Sequence, residues 1–88
     1  MVITQAIACY RDGGNSGYGT SCIINVSGST TVTVGTPAVF ENASTNDVNV
    51  ASISSTKAIV CYQDAGNGSY LTARILSISG SSVSAGTE

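Results

Sequence analysis

The chain repeats itself without a gap. Residues 4–28 overlie residues 56–80 at a constant spacing of 52, and 13 of the 25 positions are identical. The identities include Cys9/Cys61, Tyr10/Tyr62, Asp12/Asp64, Asn15/Asn67, Tyr18/Tyr70 and Thr20/Thr72. After a slip of one residue, "TTVTVGT" at 30–36 matches "SSVSAGT" at 81–87. The stretch 38–55 occurs once. The chain therefore reads as about 1.7 copies of a unit of roughly 50 residues, a period typical of solenoids and propellers. Such a unit cannot bury its apolar face alone, so neighbouring copies must cover it. The repeat boundaries divide the chain into 1–37, an incomplete first unit, and 38–88, a second one. The two together make one structural unit.

The unit is written in strands. "QAIACYR" and "KAIVCYQ" are β-branched and apolar runs bounded by polar turns. They are nearly continuous rather than alternating, which suits strands covered on both faces. "YLTARILSISG" alternates: Tyr70, Thr72, Arg74, Leu76 and Ile78 share one face, and Leu71, Ala73 and Ile75 the other. "TTVTVGTPAVF" reads as a third strand kinked at Gly35–Pro37. The missing amide of Pro37 places it at a sheet edge. "DVNVASIS" reads as a fourth, with Val48, Val50 and Ser52 on one side. No helical periodicity is present.

Four short strands in about 50 residues match one blade of a β-propeller. The fold class expected is all-β: about 1.7 four-stranded antiparallel blades, with the ring completed by oligomerisation. The first blade lacks an inner strand unless residues 1–4 or a partner chain supply it. Head-to-tail assembly follows, most simply three chains giving about six blades, or a filament if the rotation does not close. A two-sheet sandwich or partial solenoid is the competing architecture.

The stretches "AIACYRDGGNSGYGT" with "VSGSTTVTVGT", and "AIVCYQDAGNGSYLTARILSISGSSVSAGT", carry a resemblance. They resemble the "AIVCYxDxGNxxYGTA" repeats found in tandem in phage tail-associated and other uncharacterised surface proteins. The resemblance covers most of the chain. It implies a repeat architecture and an exposed, receptor-facing location, and it brings no catalytic residues.

The repeated loop is where a site could lie. Asn67-Gly68 is a strong signal for a two-residue type I′ hairpin. A turn centred there sets Asp64 opposite Leu71 and Cys61 opposite Arg74. In the first copy the same register sets Cys9 opposite Cys22, which permits a Cys9–Cys22 disulfide, although free thiols are the favoured state. Asp12 and Asp64 suit turns, where a carboxylate accepts backbone N–H groups. The sharper reading makes Asp12, Asn15 and Tyr18, repeated as Asp64, Asn67 and Tyr70, a carbohydrate site. Asp and Asn can bond hydroxyl pairs and a Tyr ring can cover an apolar sugar face.

Composition limits the remaining functions. Only 9% of residues are charged, the formal net charge is −2, and there are three cationic side chains. That is no footprint for nucleic acid. No apolar run is long enough to span a bilayer. There is no His, and the few acids are scattered, so neither catalysis nor a metal site or other cofactor is expected. The chain is read as a structural and interaction module that binds itself. A lectin-like or receptor-binding module and an excised fragment of a longer repeat protein are the alternatives. Low charge and abundant Ser and Thr favour an extracellular or virion surface.

Overall fold

The structure, a computed structural model, describes residues 5–28 and 30–87. The inner strand considered for residues 1–4 lies outside them. Seven strands follow in order: β1 (Gln5–Asp12), β2 (Tyr18–Ser27), β3 (Thr31–Val34), β4 (Ala38–Ser52), β5 (Lys57–Asp64), β6 (Tyr70–Ser79) and β7 (Ser82–Ala85). Short 3-10 turns, Gly13–Asn15 and Ala65–Asn67, lead from β1 to β2 and from β5 to β6. The fold is all-β and every strand pairing is antiparallel. The hairpin β5–β6 reproduces β1–β2 at the sequence spacing of 52, and β7 follows β3 at 51. The sequence repeat is thus a structural repeat.

The boundaries between residues 30 and 55 differ from the two strands read in the sequence. The ladder stops at Val34 and resumes at Ala38. Pro37 has no amide to donate, and the Gly35 amide closes the break by donating to the Ile23 carbonyl at 2.7 Å. From Ala38 the chain stays extended for 15 residues, so "AVFENAST" and "DVNVAS" belong to one strand. Asp47, at φ 51°, absorbs a register shift between Asn46 and Asn49. Asp is one of the few residues that visits this left-handed region readily.

β4 joins the two repeats. Its first half pairs with Tyr18–Ser21 of β2, and its second half with β5, from Thr45↔Asp64 to Ser52↔Ala58. The order across the sheet is β1-β2-β4-β5-β6-β7, with β3 on the remaining half-edge of β2. The strands make one antiparallel sheet curled into a half-barrel. The thinnest dimension of the molecule is 18 Å. That accommodates two sheet layers packed about 10 Å apart.

The core fills the concave side. Ile23 and Phe40 from the first half meet Ala58, Val60, Tyr62, Leu76 and Val83 from the second, with Ile7, Cys9, Val48, Val50 and Ile78 packed around them. Because strand side chains alternate, the faces can be followed residue by residue. In the first repeat the inward face carries Ile7, Cys9, Gly19, Ser21 and Ile23, which share pairing register. In the second repeat the equivalent positions, Ile59, Cys61, Leu71, Ala73 and Ile75, point outward. The inward face there is the opposite one, with Ala58, Val60, Tyr62, Leu76 and Val83. Equivalent faces thus turn opposite ways in the two repeats, although the first repeat's outward face is itself covered at Thr20 and Cys22.

The hairpin register is shifted by one residue from the sequence reading. Asp64 pairs with Tyr70 rather than Leu71, Cys61 with Ala73 rather than Arg74, and Cys9 with Ser21 rather than Cys22. The cause is the turn. Instead of a two-residue type I′ hairpin, the chain makes a 3-10 turn and then two left-handed residues. These are Ser16 (φ 58°) and Gly17 (φ 72°) in the first repeat, and Gly68 (φ 65°) and Ser69 (φ 60°) in the second. Each copy spends one glycine on this pair, in opposite order. The shift sends Cys9 inward and Cys22, which pairs across from Ala8, to the other side. The Cys9–Cys22 bridge that the sequence register permitted is not formed, and all three cysteines are free thiols, the favoured state. Burial, with a smaller contribution from nearby Cys22, pushes the Cys9 thiol up to about 12.

Candidate functional site

The two repeated loops converge on the middle of β4. On one edge Tyr18 pairs with Ser44, and the Gly17 carbonyl accepts the Thr45 amide at 3.0 Å. On the other edge Thr45 pairs with Asp64. Thr45 is fully buried between them, and its hydroxyl donates to the Ala43 carbonyl at 2.9 Å. β4 thus carries the loop of each repeat on one of its edges.

Asp12 and Asp64 do the same local work. Each sits at the start of a 3-10 turn, and each Oδ1 accepts the amide two residues on: Gly14 at 3.1 Å and Gly66 at 3.0 Å. The environments differ. Asp64 is 3% exposed, and Gly66 lies so close to β4 that an added Cβ would stand 2.5 Å from Ala43 Cβ. β1, which carries Asp12, has no strand on its outer edge among the described residues, and Asp12 is only half-buried. Asp64→Ala is expected to cost about 1–2 kcal/mol and Asp12→Ala about half as much. Urea melts of the two variants check this, and equal costs would contradict the role given to burial.

The other proposed sugar-binding residues are divided between exposed and covered positions. Asn15 and Asn67 end their turns and are exposed. Tyr18 is half-buried, whereas Tyr70 is 68% exposed with Gly68 beside its ring. Thr20 and Thr72 each return a hydroxyl bond to the tyrosine carbonyl two residues back, at 3.3 and 3.2 Å.

A polar cluster not foreseen from the sequence lies at the concave side. Tyr62, buried on β5, donates its hydroxyl to Glu41 Oε1 at 2.9 Å and accepts Arg74 Nε at 2.9 Å. Arg74 Nη2 reaches Glu41 Oε1 at 3.3 Å, and Nη1 donates to the Gly86 carbonyl at 2.9 Å. Burial, with Glu41 and Arg74 acting in opposite directions, pushes the Tyr62 phenol up to about 12. The cluster ties β4, β5 and β6 to the segment after β7. In the first repeat Cys22 stands where Arg74 stands here. That divergence, and Glu41 as one of two acids in the single-copy segment, were the sequence signals for it.

The exposed residues give the surface its character. Ile23 is 1% exposed, yet its equivalent Ile75 is 37% exposed. Val83 is 9% exposed, yet its equivalent Val32 is 59% exposed. Leu71 stands at 83%, opposite in role to buried Gly19. No family model, curated protein or solved structure matches the chain.

Proposed function

We propose that the protein is a structural and interaction module that assembles head to tail with copies of itself. The observation carrying this reading is the inversion of faces between repeats. Inside the chain, the Ile7–Ile23 face of the first repeat covers the Val60–Leu76–Val83 face of the second. This contact is between unlike surfaces, and it leaves part of one of each kind bare. The uncovered face of the first repeat presents Val26, Val32 and Val34, and that of the second presents Leu71 and Ile75. Val32, Leu71 and Ile75 are bare although their equivalents Val83, Gly19 and Ile23 are buried, which points to a missing neighbour. A heterologous contact of this kind closes into a ring when its rotation permits and otherwise runs on as a filament. A ring of three chains, with each repeat acting as a propeller blade, is the simplest closed form.

Mass in solution tests the reading, and two surface variants test its polarity. The wild-type chain is expected to sediment as an oligomer. Val32→Asp and Ile75→Asp each damage one of the two unlike faces at an exposed position, so both should fold and remain monomeric. Mixed together they should form a heterodimer and nothing larger, because each retains the face the other lacks. A monomeric wild type would overturn the proposal.

A further inference from the structure

We infer that Asn67 is a site of spontaneous covalent modification, converting through a cyclic imide to aspartate and isoaspartate, and that its twin Asn15 in the first loop is spared. This stands apart from the assembly reading and needs no reactant but water. The chain has six asparagines. Asn25 is held by Gln5 and Ser81, and the Asn49 amide donates to the Asp47 carbonyl. Asn42 and Asn46 lie within β4. Asn15 and Asn67 each end a 3-10 turn, and both are exposed.

The two turns share one backbone. Asn15 is followed by Ser16 at φ 58° and ψ 20°, and Asn67 by Gly68 at φ 65° and ψ 17°. They differ in what stands beside the next amide nitrogen: Ser16 has a Cβ and Gly68 has none. They also differ in how firmly the turn is shut. Gly17 is buried, and a Cβ there would stand 2.6 Å from the Arg11 guanidinium. Its amide donates to the Asp12 carbonyl at 2.8 Å, and its carbonyl accepts the Thr45 amide at 3.0 Å. Ser69, its counterpart, is exposed and makes neither bond among the described residues.

The chemistry needs Asn67 to leave its 3-10 conformation so that the Gly68 nitrogen faces the side-chain carbonyl. An exposed turn opens at little cost in free energy. The nitrogen then attacks Cγ. The N–Cγ bond forms, the nitrogen gives up its proton, the Cγ–Nδ2 bond breaks and ammonia leaves. Water opens the ring at either carbonyl. Opening at Cγ leaves aspartate, and opening at the backbone carbonyl leaves isoaspartate, with the main chain running through Cγ. The balance is amide plus water giving carboxylate plus ammonium. Isoaspartate adds a methylene to the turn that sets the β5–β6 register, next to the Gly66 amide that Asp64 holds at 3.0 Å. Ageing therefore loosens one hairpin and leaves its twin intact.

The intact chain, aged at mildly alkaline pH and mapped by peptide mass with isoaspartate labelling, tests this. Asn67 is expected to convert severalfold or more faster than Asn15. Ser16→Gly removes the one Cβ in the way at a backbone that suits glycine, and it should speed Asn15 severalfold. In the converted fraction, exchange of the Gly66 amide should quicken while that of Gly14 stays unchanged. Four results overturn the inference: equal rates at Asn15 and Asn67, an intact Asn67 after the urea-unfolded chain has converted fully, no acceleration by Ser16→Gly, or Gly66 exchange unaltered by conversion.

Discussion

Phe40→Ala is expected to remove about a quarter or more of the protein's stability. The ring is 3% exposed, stands 5.1 Å from the Tyr62 ring in an edge-on arrangement, and lies over Gly19. It is the side chain through which β4 touches both repeats at once. Truncating a buried Phe costs about 3–5 kcal/mol, because transfer energy is lost and a cavity remains. A domain of this size has about 4–13 kcal/mol in all. The urea midpoint should fall steeply while the slope of the transition stays unchanged. Val39→Ala, one residue away and 40% exposed, should change stability by less than about 0.5 kcal/mol. A Phe40→Ala cost below about 1 kcal/mol would mean that the core does not depend on this contact.

Glu41→Ala is the second large effect expected. The carboxylate accepts from both Tyr62 and Arg74, and the Glu41 and Arg74 side chains are 11% and 19% exposed. Removing it strands a buried phenol hydroxyl and takes an anion from beside a partly buried cation. Such losses cost about 2–3 kcal/mol, more than the attraction of an exposed pair. Arg74→Met should cost less with Glu41 already gone, and a double-mutant cycle reads the coupling. The same cluster sets an alkaline limit. Tyr62 is raised from its ordinary 10.0 to about 12, so the folded state holds the proton longer than the unfolded chain does. Its contribution is complete below about pH 10 and fades as pH rises toward 12. Tyrosinate absorbance followed alongside unfolding should show the Tyr62 phenol ionising only at the end of that range.

Much of the local structure was legible. Strand content, the alternation of Thr72, Arg74 and Leu76 against Leu71, Ala73 and Ile75, and the carboxylates of Asp12 and Asp64 in their turns all follow from short-range chemistry. These depend on neighbours within a few residues, which the sequence lists. The hairpin register was not legible. Asn67-Gly68 favours a two-residue turn, but Asp64 capping Gly66 opens a five-residue one, and one residue of difference moves every cross-strand partner. The Tyr62–Glu41–Arg74 cluster was hidden for another reason: its members lie on three strands brought together only by the curl of the sheet.

By itself the sequence determined that the chain is built by repetition, that the unit is made of strands, and that each strand pair carries apolar residues on both faces. It could not say which face turns inward. Ile23 and Ile75 are the same residue in the same local setting, yet one is buried and the other is not. Alternation makes the two faces of a strand locally equivalent. The choice between them is made by what packs across the concave side, and only the path of β4, paired to a different repeat along each half, decides that.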